Sequence, residues 1–218
     1  MPGIESFGRS ERELKRRLAG IEKQVQSLTV DEAAEALFAL MRKDFNNEWL
    51  SRLSTVSALD LRRAEAELVF LDFFATYFSL KFTRSAGWRD KGILVFEKLF
   101  SLMVSWLANT WDSIGAGNKD DAFRIIDSRL AAYGARIEEP GSVDPDTTLK
   151  SIGETFAMFA FAHEGIGDPG SRERDAHYEE FLTKLLLDHH NVVVTVAAEV
   201  FNHRVQSLYR MFESFKLT

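Results

Sequence analysis

The chain of 218 residues contains no cysteine. Disulfides, thiolate metal sites, cysteine nucleophiles and iron–sulfur clusters are therefore excluded. Proline is nearly as scarce: Pro2, Pro140, Pro145 and Pro169 are all there are, and no glycine occurs between Gly20 and Gly87. A chain that avoids both breakers over such lengths reads as helical there. The longest run free of Asp, Glu, Lys and Arg is Leu99–Trp111, 13 residues. A spanning helix needs about 20 apolar residues, so no membrane span is expected. Residues 1–13 carry no apolar run of the secretory kind, and the expected location is the cytoplasm. Catalytic motifs are missing as well. No phosphate-binding Gly-Lys-Ser/Thr loop, Gly-x-Ser-x-Gly elbow or His-Glu-x-x-His is present, and Gly115-Ala116-Gly117 lacks the third glycine of a dinucleotide loop.

What is abundant is apolar and aromatic. Hydrophobic residues make up 45%, 18 residues are Phe, and the formal charge is −6. That balance suits a soluble globular protein, and it argues against nucleic-acid binding through bulk basic charge. The periodicities predict an all-α protein: a multi-helix bundle of about eight helices around a central antiparallel, Phe-rich helical hairpin. The expected segments are Arg9–Leu28, Asp31–Lys43, a short ambiguous stretch within Phe45–Ser57, Ala58–Arg84, Asp90–Ser113, Asn118–Ile137, Thr147–Glu164, Ser171–His190 and Val192–Lys216. Thr29 with Glu32 has the spacing of a capping box. A short loop near Ala86–Arg89 would make Ala58–Ser113 the hairpin. Val192–Val196 (VVVTV) is β-like in composition but has no partner strand, so it reads as helix.

Two regions are set apart: a charged helical arm at 1–28 and a helical domain at 29–218, with a sub-boundary at 138–146 where two prolines, a glycine and four acids cluster. The arm carries six basic and four acidic side chains. Its apolar residues, Leu14, Leu18, Ile21, Val25 and Leu28, advance by steps of 4, 3, 4 and 3. That is a narrow interaction seam of the coiled-coil type, about two heptads long, able to dock on the chain's own body, pair with a second copy or grip a partner.

Few residues point to chemistry. His163 and His189 each continue an apolar helical stripe near a helix C-terminus. Glu199 and His203 share a face at i, i+4, which suits joint metal ligation or a surface pair. These four are the candidate metal ligands. The chain has no Glu-x-x-His, however, so it departs from the di-iron carboxylate pattern. The expected cofactor is therefore none, with a divalent metal as the alternative. Asp72 and Glu97 lie on polar stripes of the hairpin (Glu65, Asp72, Thr76, Ser79, Thr83 and Glu97, Ser101, Ser105, Ala108, Asp112). Facing inward they would form a polar seam. The outward arrangement is expected, because burying unpaired carboxylates is costly.

The resulting expectation is a non-catalytic interaction or scaffold protein that self-associates or binds another protein, with no nucleic-acid partner. The alternative is a helical bundle that binds a metal or small ligand, or an enzyme built on the same His and carboxylate residues.

Overall fold

The computed structural model describes residues 27–43, 47–56, 59–110, 118–137, 145–161 and 190–217. Within them run β1 (Ser27–Leu28), α1 (Val30–Lys43), α2 (Asn47–Leu53), α3 (Leu61–Phe82), α4 (Ala86–Thr110), α5 (Lys119–Gly134), α6 (Pro145–Ala160), α7 (His190–Ser214) and β2 (Lys216–Leu217). The all-α bundle is the architecture of the protein. The described residues hold seven helices. Nearly all of two expected segments, Arg9–Leu28 and Ser171–His190, lies outside the described residues.

Local chemistry sets several boundaries. Thr29 and Glu32 form the capping box: Thr29 N donates to Glu32 Oε2 at 2.8 Å, and Glu32 N donates back to Thr29 Oγ1 at 3.3 Å. The same hydrogen bonds favour the ionised acid and hold the Glu32 carboxyl below its ordinary pKa. Asp60 caps α3 by accepting from Arg62 N, and Asn118 caps α5 by accepting from Asp120 N and Asp121 N. Pro145 opens α6, where its fixed φ and missing N–H cost nothing.

The turn between α3 and α4 is Thr83–Ser85, and α4 starts at Ala86, four residues before the expected Asp90. Tertiary contacts carry the helix through Gly87. A Cβ at Gly87 would sit 3.0 Å from the Leu217 carbonyl oxygen, so glycine lets β2 lie against the first turn of α4. The next residue, Trp88, is fully buried. Its Nε1 donates to the Phe215 carbonyl at 2.8 Å and its ring stacks on Phe212 with centroids 4.4 Å apart.

The expected last helix also ends sooner. Lys216–Leu217 pairs in parallel with Ser27–Leu28, so Leu28 belongs to a strand and not to the end of a helix. The VVVTV run lies in α7 as helix. Among the described residues the strands are two residues long, too short to satisfy a five-residue ladder.

α3 is the axis of the bundle. It is apolar on nearly every side and buried along most of its length. Leu68, Leu71, Phe74 and Ala75 face a core shared with α6 and α7. Val69, Phe70, Phe73 and Leu80 face a second core shared with α1, α4 and α5. Each buried Phe or Leu contributes about 2 kcal/mol of transfer free energy, so this helix organises both cores.

α6 meets α7 closely at Gly153, where an added Cβ would collide with the Val194 carbonyl oxygen. Gly153→Ala should therefore destabilise the protein by about 2 kcal/mol, the cost of overpacking exceeding the roughly 1 kcal/mol gained in helix propensity. A urea midpoint at or above wild type would show that the two helices can separate freely.

Candidate functional site

Two acids lie in the middle of α3, and each meets an arginine from a different helix. Glu67 is buried, and Arg129 of α5 holds it through both carboxylate oxygens: Nε lies 2.9 Å from Oε1 and 3.1 Å from Oε2, and Nη2 lies 2.8 Å from Oε1. The Arg129 guanidinium also sits 3.6 Å from the centroid of Phe159 and 5.8 Å from that of Phe70, so aromatic faces cover the cation where water would otherwise be. Burial pushes the Glu67 carboxyl up, and Arg129 opposes that push.

Asp72 lies further along α3 and is fully buried. Arg204 Nε of α7 is 2.5 Å from its Oδ1, and the arginine side chain is 12% exposed. Among the described residues no well-aligned hydrogen bond reaches either Asp72 oxygen. The pair is held by charge. Burial pushes the Asp72 carboxyl up to about 7, against the pull of Arg204.

Tyr133 stands one turn beyond Arg129, buried, with its ring stacked on Phe74 at 5.3 Å and no hydrogen-bond partner for its hydroxyl among the described residues. Burial and the charge of Glu67 raise its pKa, so the phenol stays neutral.

Both ion pairs are internal. Their chemistry is cross-bracing: α3 to α5 through Glu67–Arg129, and α3 to α7 through Asp72–Arg204. Two further stripe residues are satisfied within the helix, Thr76 Oγ1 donating to the Asp72 carbonyl and Ser79 Oγ to the Ala75 carbonyl. The α3 stripe thus faces inward, contrary to the expected outward arrangement, because arginines supply the compensating charge. Glu97 on α4 is exposed and is not part of this row. The structure does not bring Asp72 and Glu97 together.

Glu199 and His203 lie on the exposed side of α7. Glu199 Oε2 pairs with Arg52 Nη1 at 2.5 Å, and both partners are more than a third exposed. No group of three potential metal ligands occurs among the described residues. His163 and His189 lie outside the described residues, as do Leu14, Leu18, Ile21 and Val25. Leu28, in β1, is half-buried against the core between α1 and α4.

The feature that sequence reading missed is the outer face of α4. Trp88, Val95, Leu99, Met103 and Leu107 form its buried side. On the other side Ile93 is 70% exposed and Leu94 49%. Phe100 and Val104 are half-buried, and the Phe100 ring meets Phe123 of α5 edge-on at 5.3 Å. Phe123 is itself 51% exposed. The hydroxyl of Ser101 is turned back to the Glu97 carbonyl, which removes a polar group from the face. Ala86–Asn109 is long and apolar enough to cross a membrane by length and composition, and 28% of its most apolar window is buried in the fold. A helix with apolar residues all round ordinarily reads as core. Here one side is core, and the other, flanked by α1 and α5, sets exposed Ile93 and Leu94 among exposed Asp90, Glu97 and Lys98.

A separate cleft of about 410 Å³ opens at the α3–α4 turn, lined by Phe82, Thr83, Arg84, Ser85, Tyr209 and Glu213. Partial burial raises the Tyr209 pKa, and the nearby charge of Arg84 opposes the rise.

Comparison with known proteins finds no family model, no curated protein and no solved structure that matches the chain.

Proposed function

We propose that the protein is a non-catalytic helical interaction protein, and that the outer face of α4 with Phe123 of α5 is its docking surface. The observation that carries this reading is the exposure of Ile93 and Leu94 on α4 and of Phe123 on α5, whose ring meets half-buried Phe100. Large apolar side chains grouped on one face cost solubility, and such patches mark surfaces that meet something else. A helix flanked by two others offers a shallow track for an apolar helix of a protein partner or a second copy, recognised through side chains at i, i+3, i+4 and i+7. Of the helices beside this face, α5 is tied to α3 by the Glu67–Arg129 pair.

Ile93→Glu puts a charge at the most exposed large apolar residue of this face without touching the core. In a native mass spectrum of the full chain, the wild type should carry mass above its own 24.8 kDa, and Ile93→Glu should strip that mass away with an unchanged melting temperature. A wild-type protein observed only at the monomer mass would refute the reading.

A second reading is favoured by the 410 Å³ cleft, whose lining combines Arg84, Tyr209 and Glu213 with Phe82. It suits a small ligand that has both a polar and an aromatic part. Extra mass of a few hundred daltons, lost in Arg84→Ala and kept in Ile93→Glu, would support that reading instead.

A further inference from the structure

The cleft at the α3–α4 turn lies between two unlike helix ends. Thr83, Arg84 and Ser85 form one wall, at the N-terminus of α4, and Tyr209 and Glu213 form the other, in the last two turns of α7. Ser85 stands at the head of α4, its carbonyl accepting from Arg89 N at 2.8 Å. The N–H groups of a first helical turn carry partial positive charge, and the carbonyls of a last turn carry partial negative charge.

The side chains have the same signs as the helix ends they sit on. Arg84 stands just before the positive end of α4, and Glu213 lies in the last turn of α7. α4 has no acid in its first turn and α7 has no base in its last. Each charge thus repels the helix end beside it, the reverse of the arrangement that stabilises a helix. Both side chains are exposed, and among the described residues neither makes an ion pair, with the other or with a third group. A local rule broken twice in one cleft marks a place shaped for binding and not for stability.

Between the two charges the cleft is aromatic. Phe82 is half exposed into it, with its ring tilted against Phe78 at 4.7 Å. Half-buried Tyr209 packs against both cores. A ligand ring meets rings here, a contact worth more than its area alone. The volume of about 410 Å³ lies within the range of small-molecule sites and is far more than a bare ion needs.

The walls are set before any ligand arrives. Trp88, in the first turn of α4, stacks on Phe212 and donates to the Phe215 carbonyl, so the start of α4 and the end of α7 are joined. Buried Thr83 accepts from Ser85 N through Oγ1 at 3.3 Å, which holds the turn. Little ordering is left to be done on binding.

We infer that this cleft binds a small aromatic zwitterion, of the class of a free aromatic amino acid, with its carboxylate at Arg84 and its ammonium at Glu213. The inference rests on reading the cleft as a ligand site and names the chemistry that the site selects.

Calorimetric titration of the full chain at neutral pH with three probes isolates each charge. Phenylalanine carries both, phenylpropionate lacks the ammonium, and phenethylamine lacks the carboxylate. Phenylalanine should bind about tenfold more tightly than either. Glu213→Gln should erase its advantage over phenylpropionate, and Arg84→Gln its advantage over phenethylamine, each a loss of about tenfold, the weight of one charge-assisted hydrogen bond. Because each residue opposes the helix end beside it, neither variant should melt below wild type. Phenylpropionate binding as tightly as phenylalanine would overturn the inference, and so would no heat from any of the three probes at millimolar concentration. The broader reading of the cleft is judged by the native mass adduct and Arg84→Ala, so the two fail separately. An Arg84-dependent adduct that survives Glu213→Gln would leave the cleft a ligand site and still overturn the zwitterion.

Discussion

Arg204→Met should cost about 1.4 kcal/mol more stability at pH 8 than at pH 5, because the fully buried Asp72 carboxyl, left without its counter-charge, keeps its proton where wild type gives it up. The size of the loss should depend on pH in a defined direction. In the folded wild type, burial holds the Asp72 pKa at about 7, against an ordinary 3.8. Between those values the folded state binds the proton more tightly than the unfolded state. Through this group, stability is therefore greatest at the acid end and falls as pH rises toward 7. Removing Arg204 removes the group that pulls the pKa down, so the folded carboxyl titrates higher still. The variant should lie close to wild type near pH 5, where Asp72 is neutral in both, and diverge from it at pH 8. Urea unfolding at the two pH values measures this. An equal loss at both would show that packing of the Arg204 stem is responsible, and not the Asp72 charge. Replacing both partners, with Asp72→Leu and Arg204→Met, should recover most of the loss, since an apolar pair of similar volume removes both desolvation penalties.

Trp88→Ala should be more severe, at about 3–5 kcal/mol. The indole is fully buried, stacks on Phe212 and bonds the Phe215 carbonyl just before β2. Its removal opens a cavity at the point where the start of α4, the end of α7 and the β1–β2 pair meet. Trp88→Phe keeps most of the ring volume and loses only the N–H, so it should cost about 1–2 kcal/mol. The gap between the two variants separates packing from hydrogen bonding. Equal urea midpoints for both would mean that the hydrogen bond, not the ring, secures this corner.

The helical class was legible because the chain avoids its breakers, and the Thr29–Glu32 capping box was legible because both partners are local. The orientation of the α3 stripe was not. Spacing places Asp72, Thr76, Ser79 and Thr83 on one side of a helix, but their burial depends on Arg204, which comes from a helix far along the chain. Glu67 gave no signal at all. It sits among apolar residues, and its partner Arg129 is recognisable only once α5 lies against α3. The open face of α4 was hidden for the opposite reason. A helix apolar on every side suggests burial on every side, and only the packed fold shows that α1, α3 and α5 leave Ile93 uncovered. The start of α4 was misplaced because Gly87 reads as a breaker in sequence, whereas in the fold it is the residue that admits the Leu217 backbone.

The pairing of Ser27–Leu28 with Lys216–Leu217 has a consequence for synthesis on the ribosome. The first strand emerges before all seven described helices and its partner after them. The Gly87–Leu217 contact and the Trp88–Phe215 hydrogen bond wait for the same late residues. α1, α3 and α4 can meet one another while the chain is still attached, but the corner that secures the start of α4 cannot close until residues 215–217 have emerged. Until then Trp88 and the apolar sides of α4 lack part of their cover, and the nascent chain is a natural client for chaperones that hold exposed hydrophobic helices.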